Sequence, residues 1–530
     1  MLAAERTPME IWMSDLISYR VSRRTLLAGA AAIGAVGAFS LPVPTRAAGT
    51  RTLRIASGEG DGVKGTLDPA FGKNDPDSAR ISLVFERLVS VDESFVPVPQ
   101  LATEWSSDSA ARVWTFKLRP DVVFHDGTPL TAKDVIFSYR RLLDPKLGSP
   151  ATAILAPIDP EGIEAVDDHT VAFHLKETVV EFPLLIANRF TYIVRAGQTP
   201  DELRTAGIGT GAFKVERYVP GEEPSLYVRN DRYWRPGRPG VDRVELRSIP
   251  EESARVAALL ADQIDLTWDL PLRSAEKLKT NPAVKVISAR TPFWYGLAFW
   301  SDTPPFDDVR VRQALKLVAD REQLLKAVLA GHGSVANDTP VAPWLKYGIQ
   351  EPAKAPDIEK ARALLAEAGH KDGLDLELYT SEATSGLVEL ATVYKAQAEK
   401  AGIRIKIIKA PADDYWANIW LKKPFIATAW SGRAADEALS LPFLSTGDWN
   451  EGHWRSKAFD NALFEARKSA DEAKRAELYL QAQRLLQSDS GTIIALFADA
   501  VGATRADITG WSLHPQKISQ DFSGVTFVGS

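Results

Sequence analysis

Residues able to carry out covalent chemistry are few in this chain, and their spacing fits no familiar catalytic arrangement. Its 530 residues include no cysteine, so thiol nucleophiles, thiolate metal ligands and disulfides are excluded. Neither a G-x-S-x-G turn nor an H-E-x-x-H helix occurs. The seven histidines show no pair at metal-binding spacing. We therefore predict no enzyme, no cofactor and no metal site built from neighbouring residues.

Two pairs of adjacent acids are the best case for catalysis. They are Asp413 with Asp414 and Asp436 with Glu437. A glycosidase-like mechanism needs two carboxylates that face one point from opposite sides, which chain neighbours rarely do. An exported hydrolase with carboxylates in a cleft is therefore kept as the alternative function.

Composition favours a binding protein over a nucleic-acid partner. The net charge is −6, with acidic and basic residues interspersed, and a basic stripe for nucleic acid is missing from the sequence. Tryptophan is frequent, at 14 residues. Most tryptophans should be core, but such an excess also fits a cleft in which aromatic rings stack on a ligand.

The elements that would position such a site are readable in the stretch 101–140. Apolar and polar residues alternate over 113–118, which predicts a half-buried strand. Asp126-Gly127 is a turn dipeptide. Thr131, with Asp134 three residues later, predicts a helix start with a variant capping box. This segment therefore predicts a strand, a turn and a capped helix, with no reactive group in it.

Further along the chain, strands and helices alternate. A strand over 241–249, a helix over 253–261 and a strand from Asp265 predict an α/β sheet. A long helix is predicted over 309–329, with its arginines on a solvated face or paired with nearby aspartates. A helix over 358–368 should begin after Asp357 and end before Gly369.

The stretch 101–140 resembles the signature of the extracellular solute-binding proteins of the peptide/nickel/opine class, family 5, which deliver ligands to ABC importers. The likeness is nearly letter for letter over 124–131, F-H-D-G-T-P-L-T. Further landmarks lie on both sides of this stretch, in the order of that family: Leu67-Asp68-Pro69 and 85–89 before it, and 209–213, 230–234 and 305–314 after it. They cover nearly all of the chain after its first fifty residues.

The resemblance implies an α/β, two-lobed periplasmic binding protein fold with an extra domain in the first lobe and a ligand cleft between the lobes. The implied boundaries are lobe I at 48–77, 208–289 and 496–530, the extra domain at 78–207, and lobe II at 290–495. About 480 residues beyond an export signal also exceed what one hydrophobic core can serve.

In peptide-binding members of this family, a Trp-centred segment faces the cleft, and an acid three positions later holds the α-ammonium of the peptide. The matching residue here is Trp430, but the position of the acid holds Arg433. A guanidinium suits carboxylate or phosphate, so we expect a ligand with an anionic group. Alternatively, Arg433 pairs with Asp436 or Glu437 within its own loop.

Other candidate ligand contacts are Ser431 and Asp436 in the same segment, Trp294 and Tyr295 on a predicted strand, and Phe71 and Gly60 near a glycine-rich loop. Trp294 and Tyr295 are neighbours on a strand, so at most one of them should face the cleft.

The N-terminus predicts export. Ser22-Arg23-Arg24-Thr25-Leu26-Leu27 is a twin-arginine pattern, followed by an Ala/Gly-rich run and Thr45-Arg46-Ala47 as a cleavage site. Residues 1–47 are therefore expected to be a twin-arginine signal peptide; an amphipathic helix is the alternative. With no cysteine at the cleavage point, we expect a periplasmic protein without a lipid anchor.

The predicted function is that of a substrate-binding protein of an ABC importer that captures a peptide-like or opine-like solute. Its partners would be a small-molecule or peptide ligand and an inner-membrane ABC permease, with no nucleic acid, and the protein would be a monomer. A ligand sensor that feeds a chemoreceptor is a second alternative, because the same cleft closure would serve it.

Overall fold

The computed structural model describes residues 50–58, 64–516 and 519–529. Thr50–Ser530 form one compact unit. The predicted signal peptide and Gly60 lie outside the described residues. Within the described ranges, no helix combines the length and the apolar character needed to cross a membrane.

The strands of the described residues, in chain order, are β1 Thr52–Ser57, β2 Glu86–Arg87, β3 Val89–Val91, β4 Pro97–Pro99, β5 Ala102–Ser107, β6 Val113–Leu118, β7 Ile158–Asp167, β8 Thr170–Leu175, β9 Tyr192–Ile193, β10 Phe213–Arg217, β11 Ser225–Arg229, β12 Arg243–Ser248, β13 Leu266–Thr267, β14 Val284–Phe299, β15 Gly333–Val335, β16 Leu374–Ser381, β17 Ile403–Ala410, β18 Phe425–Trp430, β19 Thr492–Arg505, β20 Ile508–Thr509 and β21 Thr526–Phe527.

The helices are α1 Asp75–Val84, α2 Ala132–Leu143, α3 Ala151–Ile154, α4 Phe182–Leu185, α5 Pro200–Thr205, α6 Glu252–Leu260, α7 Leu272–Leu278, α8 Val309–Leu317, α9 Arg321–Leu329, α10 Ile358–Glu367, α11 Leu387–Glu399, α12 Ala412–Asp414, α13 Ala435–Phe443, α14 Lys457–Lys468 and α15 Glu472–Asp489. A 3₁₀ turn at Pro145–Leu147 and a π turn at Tyr415–Ile419 supplement them.

One large sheet runs through the molecule in the order β10-β11-β12-β1-β13-β19-β14-β18-β16-β17, with β15 added to β19. At its centre, β14 and β19 are antiparallel from the pair Val284 and Arg505 to the pair Ala298 and Thr492. We call β10, β11, β12, β1 and β13 the first half of the sheet and β18, β16 and β17 the second half. The two long central strands therefore join both halves.

The stretch 101–140 folds as its sequence predicts. β6 lies in a four-stranded antiparallel sheet of order β5-β6-β8-β7, and Phe116, Phe173 and Tyr139 are fully buried between this sheet and α2. The Thr131 backbone N–H donates to Asp134 Oδ2 at 2.9 Å, which is one half of a capping box. We call β5 to β8 with α2 the four-stranded layer.

Three landmarks of the resemblance meet at one buried carboxylate. Glu86 accepts hydrogen bonds from Thr210 Oγ1 at 3.0 Å, Tyr233 OH at 2.9 Å and Trp234 Nε1 at 2.8 Å. A fourth landmark joins them, because His125 Nε2 lies 3.0 Å from the carbonyl oxygen of Gly211. Burial lowers the pKa of His125 to about 4, so this histidine is a neutral structural group. The landmarks thus hold the scaffold together.

The predicted helix over 309–329 is wrong in its middle, because the structure has two helices, α8 and α9. Asp320 starts the second one: its side chain accepts the backbone N–H of Gln323 at 3.0 Å. A short polar side chain that caps a new helix competes with continuing the old one.

The predicted solvated face for the arginines of this segment is also wrong for two of them. Arg312 and Arg321 are buried. Arg321 pairs with Asp338 at 2.7 Å, and Arg312 Nε donates to the carbonyl oxygen of Asp489 at 2.8 Å. Asp489 is the last residue of α15, so a cation here meets the negative end of a helix dipole.

Candidate functional site

A cavity of about 220 Å³ lies beside the loop that follows β18. Its walls come from two distant parts of the chain. The segments around β3 to β6 and α4 contribute Phe95, Trp105, Trp114 and Glu181, and the segments packed on the second half of the sheet contribute Tyr347, Ala434 and Arg475. Aromatic walls with a few converging polar groups are typical of small-molecule sites.

Polar contacts cross this cavity. Tyr347 OH donates to Glu181 Oε1 at 3.2 Å and accepts Arg475 Nε at 2.8 Å. Lys346 Nζ lies 3.9 Å from the same carboxylate. Burial raises the pKa of Glu181, and the positive charges of Lys346 and Arg475 oppose the rise. A carboxylate and two cations therefore line the cavity close to one another, with Glu181 from one wall and Lys346 and Arg475 from the other.

Phe95 is one of the residues that line the cavity. It lies at the tip of the β3–β4 hairpin with φ of +62°, and Asp92 fixes this tip by accepting the backbone N–H groups of Ser94 and Val96 at 2.8 and 2.9 Å. The Phe95 ring is buried in the apolar cluster of α13, α14 and α15. A side chain from one wall is thus packed into the core of the other.

Trp430 and Trp294 stand side by side on the central sheet. They are register partners on β18 and β14, and their rings stack with centroids 6.1 Å apart and planes 13° apart. Both are buried, Trp430 to 7% exposure and Trp294 to 2%. Trp430 ends β18, so the loop with Ala434 that lines the cavity begins directly after it.

Arg433 makes its contacts with chain neighbours in β18, in its own loop and in α13. Its Nε lies 3.0 Å from Glu437 Oε1, and its Nη1 donates to the carbonyl oxygen of Ser431 at 2.9 Å. The guanidinium also lies 5.5 Å from the Trp430 ring centroid, a cation–π distance. Of the two alternative partners, Arg433 thus takes Glu437 and not Asp436. The pair is 21% and 58% exposed, and the neighbouring residues Ala434 and Ala435 line the cavity whereas Arg433 does not.

Asp436 belongs to a second charge network. It pairs with Arg467 Nε at 2.9 Å and accepts Tyr479 OH at 3.1 Å. The Tyr479 ring in turn stacks on Tyr347 at 4.8 Å. The negative charge of Asp436 also helps to raise the pKa of Glu181. Asp436 therefore lies beside the cavity network, whereas Ser431 is exposed in the loop before it.

The remaining predicted site residues are placed apart. Tyr295 lies on the opposite face of the sheet from Trp294, where its OH donates to the carbonyl oxygen of Ser385 at 2.8 Å and burial raises its pKa to about 12. Phe71 is half-buried against the core of the four-stranded layer. The structure does not bring either residue to the cavity.

Four residues of this region were not identified as candidate site residues from the sequence: Glu181, Tyr347, Arg475 and Glu451. Tyr347 and Arg475 are 128 positions apart in the chain, and no local pattern links them. Glu451 lies in the loop between α13 and α14, three residues after Asp448, yet it is only 1% exposed. Its side chain accepts both indole N–H groups of Trp420 and Trp430. Among the described residues, no cluster of three or more His, Asp or Glu could hold a metal ion.

Comparisons with known proteins decide the family. The family described as bacterial extracellular solute-binding proteins, family 5 Middle, matches residues 96–451. The chain belongs to this family. The match includes the four-stranded layer, Trp430, the Arg433 loop and Glu451.

Relatives of this solute-binding protein match over most of their length. The periplasmic oligopeptide-binding protein OppA of Escherichia coli K12 is 29% identical, over 89% of this chain and 93% of OppA. The heme-binding protein A of Haemophilus influenzae is 29% identical, over 77% and 80%. The solved structure of HbpA2 from Haemophilus parasuis is 25% identical with a TM-score of 0.79, over 90% and 99%. The protein is therefore a binding component that captures a solute for an ABC importer, with the two-lobed fold of its relatives.

Proposed function

We propose that this protein captures a peptide-like or opine-like solute carrying an anionic group and delivers it to an inner-membrane permease. The observation that carries the proposal is the cavity beside the Arg433 loop. Its aromatic and charged walls come from two separate parts of the chain, so a solute enclosed there would contact both. Such enclosure is how hinge closure buries a small polar molecule.

The two parts would be the lobes implied by the sequence. Lobe I would comprise 48–77, 208–289 and 496–530, with the extra domain at 78–207, and lobe II would be 290–495. In this division, β14 and β19 are the crossover strands. A solute that bridges the lobes would shift the population toward the closed form, which the permease recognises.

Arg433 is proposed as the anchor of the anionic group. Its bond to Glu437 is a partly exposed i,i+4 pair, and such pairs contribute only about 0.3–0.5 kcal/mol. Little free energy is therefore lost when a carboxylate on the solute replaces Glu437. The planar guanidinium would then hold that carboxylate through two parallel hydrogen bonds while resting on Trp430.

The export route, cellular location and oligomeric state of the protein are also proposals. Residues 1–47 would direct the folded protein through the twin-arginine route, and the mature protein would be an unanchored monomer in the periplasm. The same fold could serve a ligand sensor for a chemoreceptor. Solute uptake in a strain that lacks the gene separates the two roles: uptake falls for a transport protein and stays normal for a sensor.

The experiment that tests the proposal is native mass spectrometry of the protein isolated from its own periplasm. We expect a co-purifying anionic solute that leaves on denaturation and is recovered intact. Arg433→Ala should then weaken the affinity for that solute by about 10- to 100-fold, as expected for a lost charge-assisted bond of roughly 1.5–3 kcal/mol. Arg433→Lys should restore part of it, because the charge stays and the fork is lost.

Arg484→Ala is the matched control, because Arg484 is another partly exposed arginine, paired with Glu351 at 2.7 Å. Its affinity should equal that of the wild type. Equal affinity of the wild type and Arg433→Ala would contradict the anchor. Recovery of a cleaved solute would favour the exported hydrolase instead. If the protein is isolated empty, thermal shift with dipeptides, tripeptides and opines takes the place of the first step.

A further inference from the structure

Trp430 belongs to a cluster of five tryptophans whose rings contact one another at centroid distances of 6.0 to 6.2 Å. The members of this tryptophan cluster are Trp294, Trp416, Trp420, Trp430 and Trp449. Two of them are open to solvent, at 38% for Trp416 and 44% for Trp449. The cluster therefore runs from the buried strand β18 to the surface.

One carboxylate lies inside this cluster. Glu451 Oε2 accepts Trp420 Nε1 at 2.6 Å and Thr428 Oγ1 at 2.9 Å, and its Oε1 accepts Trp430 Nε1 at 3.0 Å. These donors come from two segments, β18 and the turn that follows the π turn. Thr428 and Trp430 reach the same carboxylate because residues two apart on a strand share a face.

The chemistry of these donors requires an acid at this point. An indole N–H can only donate, so each tryptophan needs an acceptor. An ionised carboxylate accepts at both oxygens, which satisfies both indoles at once. A glutamine has one oxygen and one NH₂ group, so in either orientation its NH₂ would face one of the two indole N–H groups.

We propose that Glu451 is the positioning residue of Trp430, because its carboxylate fixes the indoles of Trp430 and Trp420 relative to each other. Glu451 does not line the cavity, and it acts through Trp430 at the start of the Arg433 loop. That consequence for solute binding rests on the proposed function. The positioning itself concerns the protein without solute.

Ionisation of Glu451 should change the strength of the hydrogen bonds that both indoles donate to it. Burial raises the pKa of Glu451 to about 7, against the opposing effect of its three donors. When the carboxyl is protonated, the Thr428 hydroxyl can accept its proton, and one indole is left with a neutral hydroxyl oxygen as acceptor. Hydrogen bonds to neutral groups are weaker than those to charged groups. The indoles should therefore be held more tightly above the pKa than below it.

Other titratable groups face this region and must be told apart from Glu451. Tyr415 donates from its OH to the carbonyl oxygen of Ala427 at 2.5 Å, and its pKa is raised by burial and by the charge of Glu451. Arg433 lies over the Trp430 ring. His453, two residues after Glu451, lies 3.1 Å from Asp302 and stacks on Trp300.

The test is a pH titration of the indole N–H resonances in NMR spectra of the full protein with isotope-labelled tryptophan. Trp420→Phe and Trp430→Phe assign the two resonances. We expect both to shift together with a midpoint near pH 7 in the wild type, and to stop titrating in Glu451→Gln, with one of them at the position of a free indole. Trp420→Phe should also move the midpoint for Trp430 upward, because one donor that lowers the pKa of Glu451 is gone.

Two controls isolate the carboxylate. His453→Asn removes the neighbouring imidazole, and asparagine tolerates the φ of +48° at this position. The indole N–H resonances of this variant should titrate as they do in the wild type. Glu465→Gln removes a partly exposed carboxylate on α14 and should change neither resonance. Indole resonances that ignore pH in the wild type, or that still titrate in Glu451→Gln, would overturn the proposal. No solute is needed, so this result is independent of whether the proposed anion binds.

Discussion

Glu86 and Glu451 are two buried carboxylates with nearly the same surroundings and different electrostatics. Each accepts one threonine hydroxyl and two aromatic donors: Thr210, Tyr233 and Trp234 for Glu86, and Thr428, Trp420 and Trp430 for Glu451. Burial raises the pKa of both. Only Glu86 has a positive charge, Arg235, that opposes this rise.

The difference separates a scaffold from a region that can respond to its environment. Glu86 joins three landmarks of the family near the four-stranded layer, and Arg235 helps to keep it ionised. Glu451 joins two cluster tryptophans beside the candidate site, and its three opposing groups are all neutral donors. Burial raises the pKa of a carboxyl group, and a nearby positive charge lowers it again. Of the two carboxylates, only Glu451 lacks such a charge among the groups that shift its pKa.

The largest effect is expected at the scaffold carboxylate. Glu86→Ala should lower the free energy of unfolding by about 3–5 kcal/mol. It leaves the buried Thr210 hydroxyl and the partly buried Tyr233 and Trp234 donors without their acceptor, and it removes a negative charge near Arg235. Urea denaturation measures this loss. Glu104→Ala removes an exposed, paired glutamate and should change stability by no more than about 0.5 kcal/mol. A loss below about 1 kcal/mol for Glu86→Ala would contradict the role of this residue as the junction of the landmarks.

A smaller effect should appear in the pH dependence of stability at Glu451. Its pKa is about 7 in the folded protein, whereas an ordinary glutamate has a pKa of 4.5, so the folded state binds the proton more tightly than the unfolded state. This contribution is fully present below about pH 4.5 and is lost as the pH rises through 7. The free energy of unfolding should therefore fall by roughly 3 kcal/mol across this window.

The measurement is the difference between urea unfolding of the wild type and of Glu451→Gln at several pH values. Subtraction removes all other titrating groups, because glutamine does not ionise. Parallel curves for the two proteins would mean that Glu451 keeps an ordinary pKa. In that case the contrast with Glu86 would disappear.

Local sequence patterns were enough for much of the fold. The capped helix α2, the helix α10 after Asp357 and the strand β12 depend on neighbours in the chain, and they lie within a few residues of their predicted positions. The family landmarks were recognised from the sequence, but their junction at Glu86 required the structure, because it joins residues between positions 86 and 234.

The candidate site was harder to predict because its partners are far apart in the chain. Arg433 could be proposed from its place after Trp430, and the choice between Glu437 and Asp436 needed the structure. The buried charges of α8 and α9 were missed because their partners, Asp489 and Asp338, lie in other elements. Glu451 was missed for the same reason, because its indole donors, Trp420 and Trp430, lie 31 and 21 positions away in the chain.

The smallest effects should come from the two threonines, which form a matched pair. Thr210→Val and Thr428→Val each remove one hydroxyl donor with little change of shape, and each should cost about 1 kcal/mol in urea unfolding. They should differ in their pH dependence. Loss of the Thr428 donor raises the pKa of Glu451 further and moves its stability transition above pH 7, whereas Arg235 still opposes protonation of Glu86 in Thr210→Val. Equal pH profiles for the two variants would mean that the counter-charge of Arg235 does not explain why these two similar carboxylates differ.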